Sequence, residues 1–182
     1  MIGLKKILNV LSRGYLVILL GTVILGLSGC VLSMPDPLLK SRTLAKGVIP
    51  TSIVGVWLDS ERSAFRIQPT NFNNTYSAIP EKGGANLKLT FERLEDNLFI
   101  IQVEPDGSKG VFLTIGVIEP KVVTIYTYPD SLIEIQEIGT RNGVTITNEG
   151  LITKYETAQG VVKFFWELSA LPGHKDVPYT KK

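Results

Sequence analysis

The strongest constraint on the fold is a two-residue alternation of apolar and polar side chains through the middle of the chain. In Leu87–Leu94 (LKLTFERL), the side chains of Leu87, Leu89 and Phe91 alternate with polar neighbours. This period places alternate side chains on opposite faces of a strand. The same pattern recurs between turn sequences at residues 53–58, 64–68, 76–79, 98–104, 111–118 and 122–128. Short strands joined by short turns predict an antiparallel meander, and a sheet of this many strands tends to close on itself.

The alternation also predicts which side chains point into the closed sheet. Phe65 and Ile67 share one face of their strand, and Leu87, Leu89 and Phe91 share one face of theirs. Phe99, Ile101 and Val103 are expected to point inward, and the next strand follows with Val111, Leu113, Ile115 and Val117 in register. We therefore expect a mainly β domain, an antiparallel meander closing into a small barrel with a C-terminal helix. Any internal cavity would lie among Trp57, Phe65, Phe91, Phe99 and Leu113.

The last third of the chain is less regular. Residues 130–138 predict either a short helix capped by Asp130 or a strand, and 144–147 and 151–153 predict short strands. Residues 157–168 (TAQGVVKFFWEL) favour a helix capped by Thr157, although Gly160 and the β-branched pair leave a strand open. The tail after Pro172, which holds the only histidine, His174, is predicted to be disordered.

The first 30 residues form a three-part pattern. Lys5, Lys6 and Arg13 precede an uncharged apolar run at residues 15–27. That run has the length of a secretory signal and is short for a membrane span. Small residues follow, ending in Leu27-Ser28-Gly29-Cys30.

This four-residue box resembles the lipobox of bacterial lipoproteins. The resemblance implies that the Cys30 thiol is alkylated by diacylglycerol, that Leu27, Ser28 and Gly29 form the signal-peptidase box, and that the new amino group is acylated. Two alternatives are an uncleaved membrane helix over residues 15–33 and an ordinary cleavage site at Cys30. Cys30 is the only cysteine, so no intramolecular disulfide can form.

The expected organisation has four parts: a signal peptide (1–29), a lipidated N-terminus with a flexible tether (30–51), one β-rich domain (52–171) and the tail (172–182). Cleavage would remove 29 of the 182 residues and leave 153, enough for one domain. It would remove three of the 19 basic residues and none of the 17 acidic ones, giving a net charge of −1. That balance argues against a nucleic-acid partner. Val31 stands where lipoproteins retained in the enterobacterial inner membrane carry an aspartate, so the resemblance favours the periplasmic face of the outer membrane.

Gly55-Val56-Trp57 on the first predicted strand resembles the glycine-x-tryptophan opening of lipocalins and related calycin barrels. The resemblance implies that Trp57 closes the barrel bottom and that the interior holds a small apolar ligand. Trp57, Phe65, Phe91 and Phe99 are then the candidate ligand-binding residues. A generic small barrel or β-sandwich with Trp57 as an ordinary core residue is the alternative.

Catalytic and metal-binding patterns are weak. A nucleophile needs a nearby base, and a zinc site needs several His, Cys or acidic ligands, whereas this chain has one histidine and one cysteine. The carboxylate pairs Asp59/Glu61 and Glu134/Glu137 fit solvated surface better than an active site. No phosphate loop or dinucleotide fingerprint is present, so we predict no enzyme, no metal and no cofactor.

Phe164, Phe165 and Trp166 are consecutive aromatic residues, and three in a row cannot all face one core. At least one should lie at the surface, either as an ordinary amphipathic edge or as a docking face. Two functions are therefore expected of this lipid-anchored envelope protein. The first is non-catalytic binding of a small hydrophobic ligand in the barrel, and the alternative is structural or assembly docking onto another envelope protein.

Overall fold

The computed structural model describes residues 32–38, 51–72, 74–108, 110–127, 132–172 and 175–182. Within these ranges the chain is mainly β, with eleven strands and two α-helices. The strands are β1 (Leu32–Met34), β2 (Gly55–Leu58), β3 (Ala64–Pro69), β4 (Thr75–Pro80), β5 (Leu87–Glu95), β6 (Leu98–Pro105), β7 (Val111–Ile118), β8 (Val122–Thr127), β9 (Val144–Ile146), β10 (Ile152–Tyr155) and β11 (Lys175–Lys181). The helices are α1 (Leu132–Arg141) and α2 (Ala158–Ser169), and a single 3-10 turn spans Thr51–Ile53.

Eight of these strands form a closed antiparallel barrel. Strands β2 to β8 follow one another as neighbours, and β7 and β8 pair directly. Strand β11 pairs antiparallel with both β8 and β2 and so closes the cylinder. The mainly β prediction of a meander that closes into a small barrel, with a helix in the C-terminal part, is therefore confirmed. Closure gives each of these eight strands a partner on both sides.

The predicted disordered tail was wrong for residues 175–181, because they form the closing strand. Val177 pairs with Ile125, Tyr179 with Val123, and Lys181 with Trp57. Alternation of Val177 and Tyr179 with polar residues is the signal of a strand, and Pro178 with its charged neighbours obscured it. His174 lies outside the described residues.

The tether prediction was wrong for residues 32–34, which form β1 beside the first part of β7, on the edge that pairs with β8 further along the strand. Leu32 pairs with Leu113 and Met34 with Val111. The side chains of Leu32 and Met34 are buried, and this burial fixes the segment to the domain. Residues 30–31 and 39–50 of the expected tether lie outside the described residues.

The two helices and the β9–β10 hairpin are inserted between β8 and β11. Of the residues for which helix and strand were both open, 132–138 belong to α1 and 158–168 to α2. Thr157 caps α2 as predicted, since its hydroxyl oxygen accepts a hydrogen bond from the Gly160 N–H at 2.9 Å. Residues 130 and 131 lie outside the described residues.

Buried side chains form two cores on opposite sides of the wall made by β6 and β7. The barrel core lies inside the cylinder and consists of Ile53, Trp57, Ile67, Tyr76, Ala78, Leu89, Phe91, Phe99, Ile101, Ile118 and Val123. The layer core lies between the outer wall and the helices, and consists of Leu32, Met34, Ile100, Val111, Leu113, Ile115, Ile135, Ile138, Val144, Ile146, Ile152, Val161, Phe164, Phe165 and Leu168.

The predicted facing of β7 was wrong. Phe99 pairs with Gly116 and Ile101 with Thr114, so the barrel side of β7 carries Thr114 and Gly116. Val111, Leu113 and Ile115 belong to the layer core, and Val117 shares their parity. The segment VFLTIGVI is apolar on both faces because both are buried, so alternation alone could not choose between them.

Candidate functional site

The four predicted ligand-binding residues, Trp57, Phe65, Phe91 and Phe99, lie together on the inner side of the barrel. Register places Trp57 opposite Phe65 and Phe91 opposite Ile101. Leu113, the fifth residue expected around a cavity, points instead toward the helices. The barrel interior is therefore the candidate site, and its two ends differ.

The lower end, where β2 begins and β11 ends, is covered by the 3-10 turn. Trp57 is level with Phe65 in the β2–β3 register, and its ring is turned toward that 3-10 turn. The Trp57 indole N–H donates to the carbonyl of Ile53 at 2.7 Å. The Lys181 ammonium donates to the carbonyl of Ser52 at 2.6 Å, and its Nζ lies 5.7 Å from the centroid of the Trp57 ring. These contacts tie the first and last barrel strands together around one tryptophan.

Gly55 is required at this closed end because a side chain there would meet Lys181. Its φ is +142°, and a Cβ on it would lie 2.7 Å from Lys181 Cε. The sequence reasoning missed the role of Lys181. The available signal was the two-residue interval that runs from Val177 through Tyr179 to Lys181.

The middle of the barrel is filled by aromatic rings. Tyr76 and Phe91 pack edge to face with centroids 5.7 Å apart, and Phe91 and Phe99 do so at 6.5 Å. Trp57 and Phe99 are 0% exposed and Phe91 is 1% exposed. Burial raises the pKa of the Tyr76 phenol above its usual value.

The upper end, where β3 and β5 begin and β6 and β8 end, is less tightly covered. Phe65, Leu87, Val103 and Ile125 pack against the barrel core there but are only partly buried. Tyr179 stacks edge to face on Phe65, with centroids 5.7 Å apart. Burial raises the pKa of the Tyr179 phenol, and the negative charge of Asp59 adds to that rise.

A shallow groove of about 220 Å³ lies on the outside of the barrel, also near the upper end. It is lined by Pro35, Pro37, Lys88, Glu104, Pro105, Asp106, Gly107, Ser108, Gly110 and Val111. Two of the charged side chains that line it form an ion pair, with Lys88 Nζ 3.1 Å from Glu104 Oε1. The same oxygen accepts a hydrogen bond from Gln102 Nε2 at 2.8 Å.

The aromatic run on α2 is divided as the sequence predicted. Phe164 and Phe165 are fully buried in the layer core with centroids 5.1 Å apart, whereas Trp166 is 49% exposed. Beside Trp166, the Glu167 carboxylate accepts from Arg141 Nη2 at 2.9 Å and from Asn142 Nδ2 at 3.0 Å. These bonds hold α2 against the C-terminal end of α1.

The two carboxylate pairs do not form a cleft. Asp59 shapes a turn, because its Oδ1 accepts from the backbone N–H groups of Glu61 at 2.9 Å and Ser63 at 2.7 Å. Glu134 and Glu137 are exposed on α1. Within the described ranges, no group of three or more His, Cys, Asp or Glu side chains is placed to hold a metal ion.

The anchor residues Leu27, Ser28, Gly29 and Cys30 lie outside the described residues. Within the part of the chain that the structure describes, neither helix is long and apolar enough to cross a membrane. Comparison with known proteins finds no matching family model, no matching curated protein and no matching solved structure.

Proposed function

We propose that the protein is a bacterial envelope lipoprotein, held in the membrane by lipid on Cys30. Support comes from the lipobox Leu27-Ser28-Gly29-Cys30, the apolar run before it and the absence of any other cysteine. Val31 supports placement on the periplasmic face of the outer membrane. Two or three acyl chains on one residue would anchor the domain firmly, because each buried methylene contributes about 0.8 kcal/mol.

The domain itself is proposed to act without catalysis, as a docking module for another envelope protein. The observation that carries this proposal is the filled barrel core, with Trp57, Phe91 and Phe99 at most 1% exposed. Making room for an internal ligand would displace such rings, and removing a buried Phe costs about 3–5 kcal/mol. A solid barrel favours functions of the outer surface over internal transport.

Trp166 is the proposed centre of the docking surface. Its two aromatic neighbours fix α2 in the layer core, and the Glu167 bonds to Arg141 and Asn142 fix the helix laterally. A rigidly held, half-exposed tryptophan is the residue type most often found at the energetic centre of protein interfaces.

A second candidate function is capture of a small apolar group at the upper end of the barrel. It is favoured by the partly exposed inward side chains of Phe65, Leu87, Val103 and Ile125. The Trp57 ring, which is turned toward the 3-10 turn at the lower end, supports kinship with lipocalin-like barrels. A ligand there would occupy the mouth and not the packed middle.

One pair of measurements separates the two candidates. Native mass spectrometry on the chain from residue 31, which keeps every described element, should show an empty protein that also fails to take up added fatty acids. A photoactivatable side chain at Trp166 of the full-length protein should cross-link in cells to one discrete protein, whereas the same group at exposed Phe72 should not. A stoichiometric apolar ligand without a site-specific cross-link would favour the second candidate.

A further inference from the structure

We infer that the domain rests directly on the bilayer through the face around the start of β1, with no spacer between lipid and fold. This inference builds on the proposed lipidation of Cys30. Cys30 stands two residues before Leu32, and two residues of extended chain span at most about 7 Å. The distance from anchor to sheet is therefore shorter than the thickness of one helix.

β1 cannot act as the missing spacer because it is part of the fold. All three of its residues pair with β7, and Leu32 and Met34 are 0% and 5% exposed within the layer core. Ser33 makes a second attachment, since its N–H donates to the Gly150 carbonyl at 3.2 Å and it forms a parallel bridge to Leu151.

These contacts identify the neighbours of the anchor. Gly150 belongs to the turn between β9 and β10, and Asn148 in that turn accepts from Gln136 Nε2 at 3.0 Å. Ile133 lies one helical turn before Gln136 on α1, so it shares that side of the helix. We call the surface formed by the exposed residues Ile133, Asn148 and Glu149 the anchor-side face.

The anchor-side face has an exposed aliphatic side chain that favours contact with lipid, and exposed carboxylates that disfavour anionic lipid. Ile133 is 69% exposed, the highest fraction among the large hydrophobic side chains of the described residues. An exposed aliphatic side chain gains by entering the interface between headgroups and acyl chains. Glu134, Glu137 and Glu149 are also exposed here, and they would repel anionic lipid. The face therefore fits a zwitterionic surface, with the acyl anchor supplying proximity.

The same geometry leaves the proposed docking surface free. Ile133 and Arg141 are eight residues apart on α1, which corresponds to about 12 Å of helix. Trp166 lies at the Arg141 end, next to Glu167. One end of α1 would thus meet lipid while the other end stays available to a protein.

The test uses full-length, processed protein in vesicles of phosphatidylcholine and phosphatidylethanolamine that contain shallow spin-labelled lipid. With Cys30 blocked by lipid, an introduced cysteine is the only free thiol and takes a fluorescent label. The test position is Ile133→Cys. The matched control is Ile79→Cys, an exposed isoleucine on β4, three strands from β7 around the barrel. Quenching should be about twofold or more stronger at 133 than at 79.

A linker variant makes the result specific to the short connection. Ten Gly and Ser residues inserted between Val31 and Leu32 would separate lipid and domain by about 17 Å on average. Quenching at position 133 should then fall to that at 79. Glu149→Cys provides a second test position with the same expected behaviour, and adding anionic lipid should weaken quenching at both positions.

The outcomes distinguish the two proposals. An unmodified Cys30 in the mass spectrum of the N-terminal peptide would overturn both. An acylated Cys30 with equal quenching at positions 133 and 79, or with quenching that the linker leaves unchanged, would overturn direct contact and leave the lipoprotein proposal standing.

Discussion

The barrel core and the layer core share the wall made by β6 and β7, but they are built from different parts of the chain. The barrel core contains large aromatic rings, and its buried members lie between Ile53 and Val123 in the sequence. The layer core is assembled mainly from residues 132–169, with β1 and the outer faces of β6 and β7 added. Both are fully buried, so the difference lies in what they leave at the surface.

The two exposed side chains for which we propose contacts, Trp166 and Ile133, both belong to the helical layer and not to the barrel. Trp166 and Ile133 both project from helices that the layer core holds in place. Four aromatic residues, Trp57, Tyr76, Phe91 and Phe99, are buried inside the cylinder. Under the proposed function, the barrel is the scaffold and the helical layer carries the contacts.

The largest expected effect comes from breaking the barrel and not the layer. Deleting residues 175–182 should abolish the closed sheet, because it exposes the edges of both β2 and β8 and removes Val177 and Tyr179, each worth about 1.5–3 kcal/mol of burial. Circular dichroism during heating should show no cooperative transition. Thr180→Ala, an exposed position in the same strand, should unfold like the parent, and a cooperative transition in the truncated chain would contradict the assignment of β11 as the closing strand.

Two buried phenylalanines test whether the cores are energetically separate. Phe99→Ala in the barrel core and Phe165→Ala in the layer core should each lower the free energy of unfolding by about 3–5 kcal/mol in urea titrations. Because they belong to different clusters, the double variant should be additive within about 0.5 kcal/mol.

The control for that pair lies within one core. Phe91 and Phe99 touch edge to face, so their double variant should deviate from additivity by about 0.5–1.5 kcal/mol. Strong coupling between Phe99 and Phe165 would mean that the wall of β6 and β7 does not separate two cores.

A smaller loss of stability is expected from replacing Gly116, whose neighbours are tightly packed in the wall made by β6 and β7. A Cβ at this position would lie 2.7 Å from Ile101 Cδ1 and 3.1 Å from Ile125 Cδ1. Gly116→Ala should therefore lower the free energy of unfolding by about 1–3 kcal/mol. Gly110→Ala is the matched control, since its nearest neighbour is the Met34 carbonyl at 3.7 Å, and it should stay within about 0.5 kcal/mol of the parent. Equal effects at both glycines would contradict the close packing inside β7.

Much of the barrel could be predicted because its strands are half-buried and alternate cleanly. Leu87–Leu94 was expected and Leu87–Glu95 is observed, with the predicted inward side chains of Leu89 and Phe91 in the barrel core. The Thr157 cap could also be predicted from the sequence, because a capping hydroxyl interacts only with the next few residues. Local signals and single-face burial were sufficient here.

The sequence could not predict features that depend on distant partners. β1 holds only three residues and precedes two prolines, and its burial depends on β7 and the helices. β11 closes a barrel whose first strand lies more than a hundred residues earlier. For the candidate site, the four aromatic residues were placed together correctly. Their packing against one another, which decides between a cavity and a solid core, follows from volumes that alternation does not encode.

The smallest expected effect is on the pH dependence of the free energy of unfolding. It tests whether the upper end of the barrel is shielded from solvent. The pKa of Tyr179 is raised above the usual value of a tyrosine phenol, by burial first and by the negative charge of Asp59 second. As the pH rises, the unfolded chain loses the phenolic proton before the folded one does, so the free energy of unfolding should fall through the titration range of tyrosine. Tyr179→Phe removes the titrating group and should make the decline between about pH 9 and about pH 11 shallower, as followed by urea titration. Combining it with Tyr76→Phe, whose parent phenol also has a raised pKa, should flatten the profile further. An unchanged slope in Tyr179→Phe would mean that the upper end is open enough to hydrate the phenolate, and would move the balance toward ligand capture at the barrel mouth.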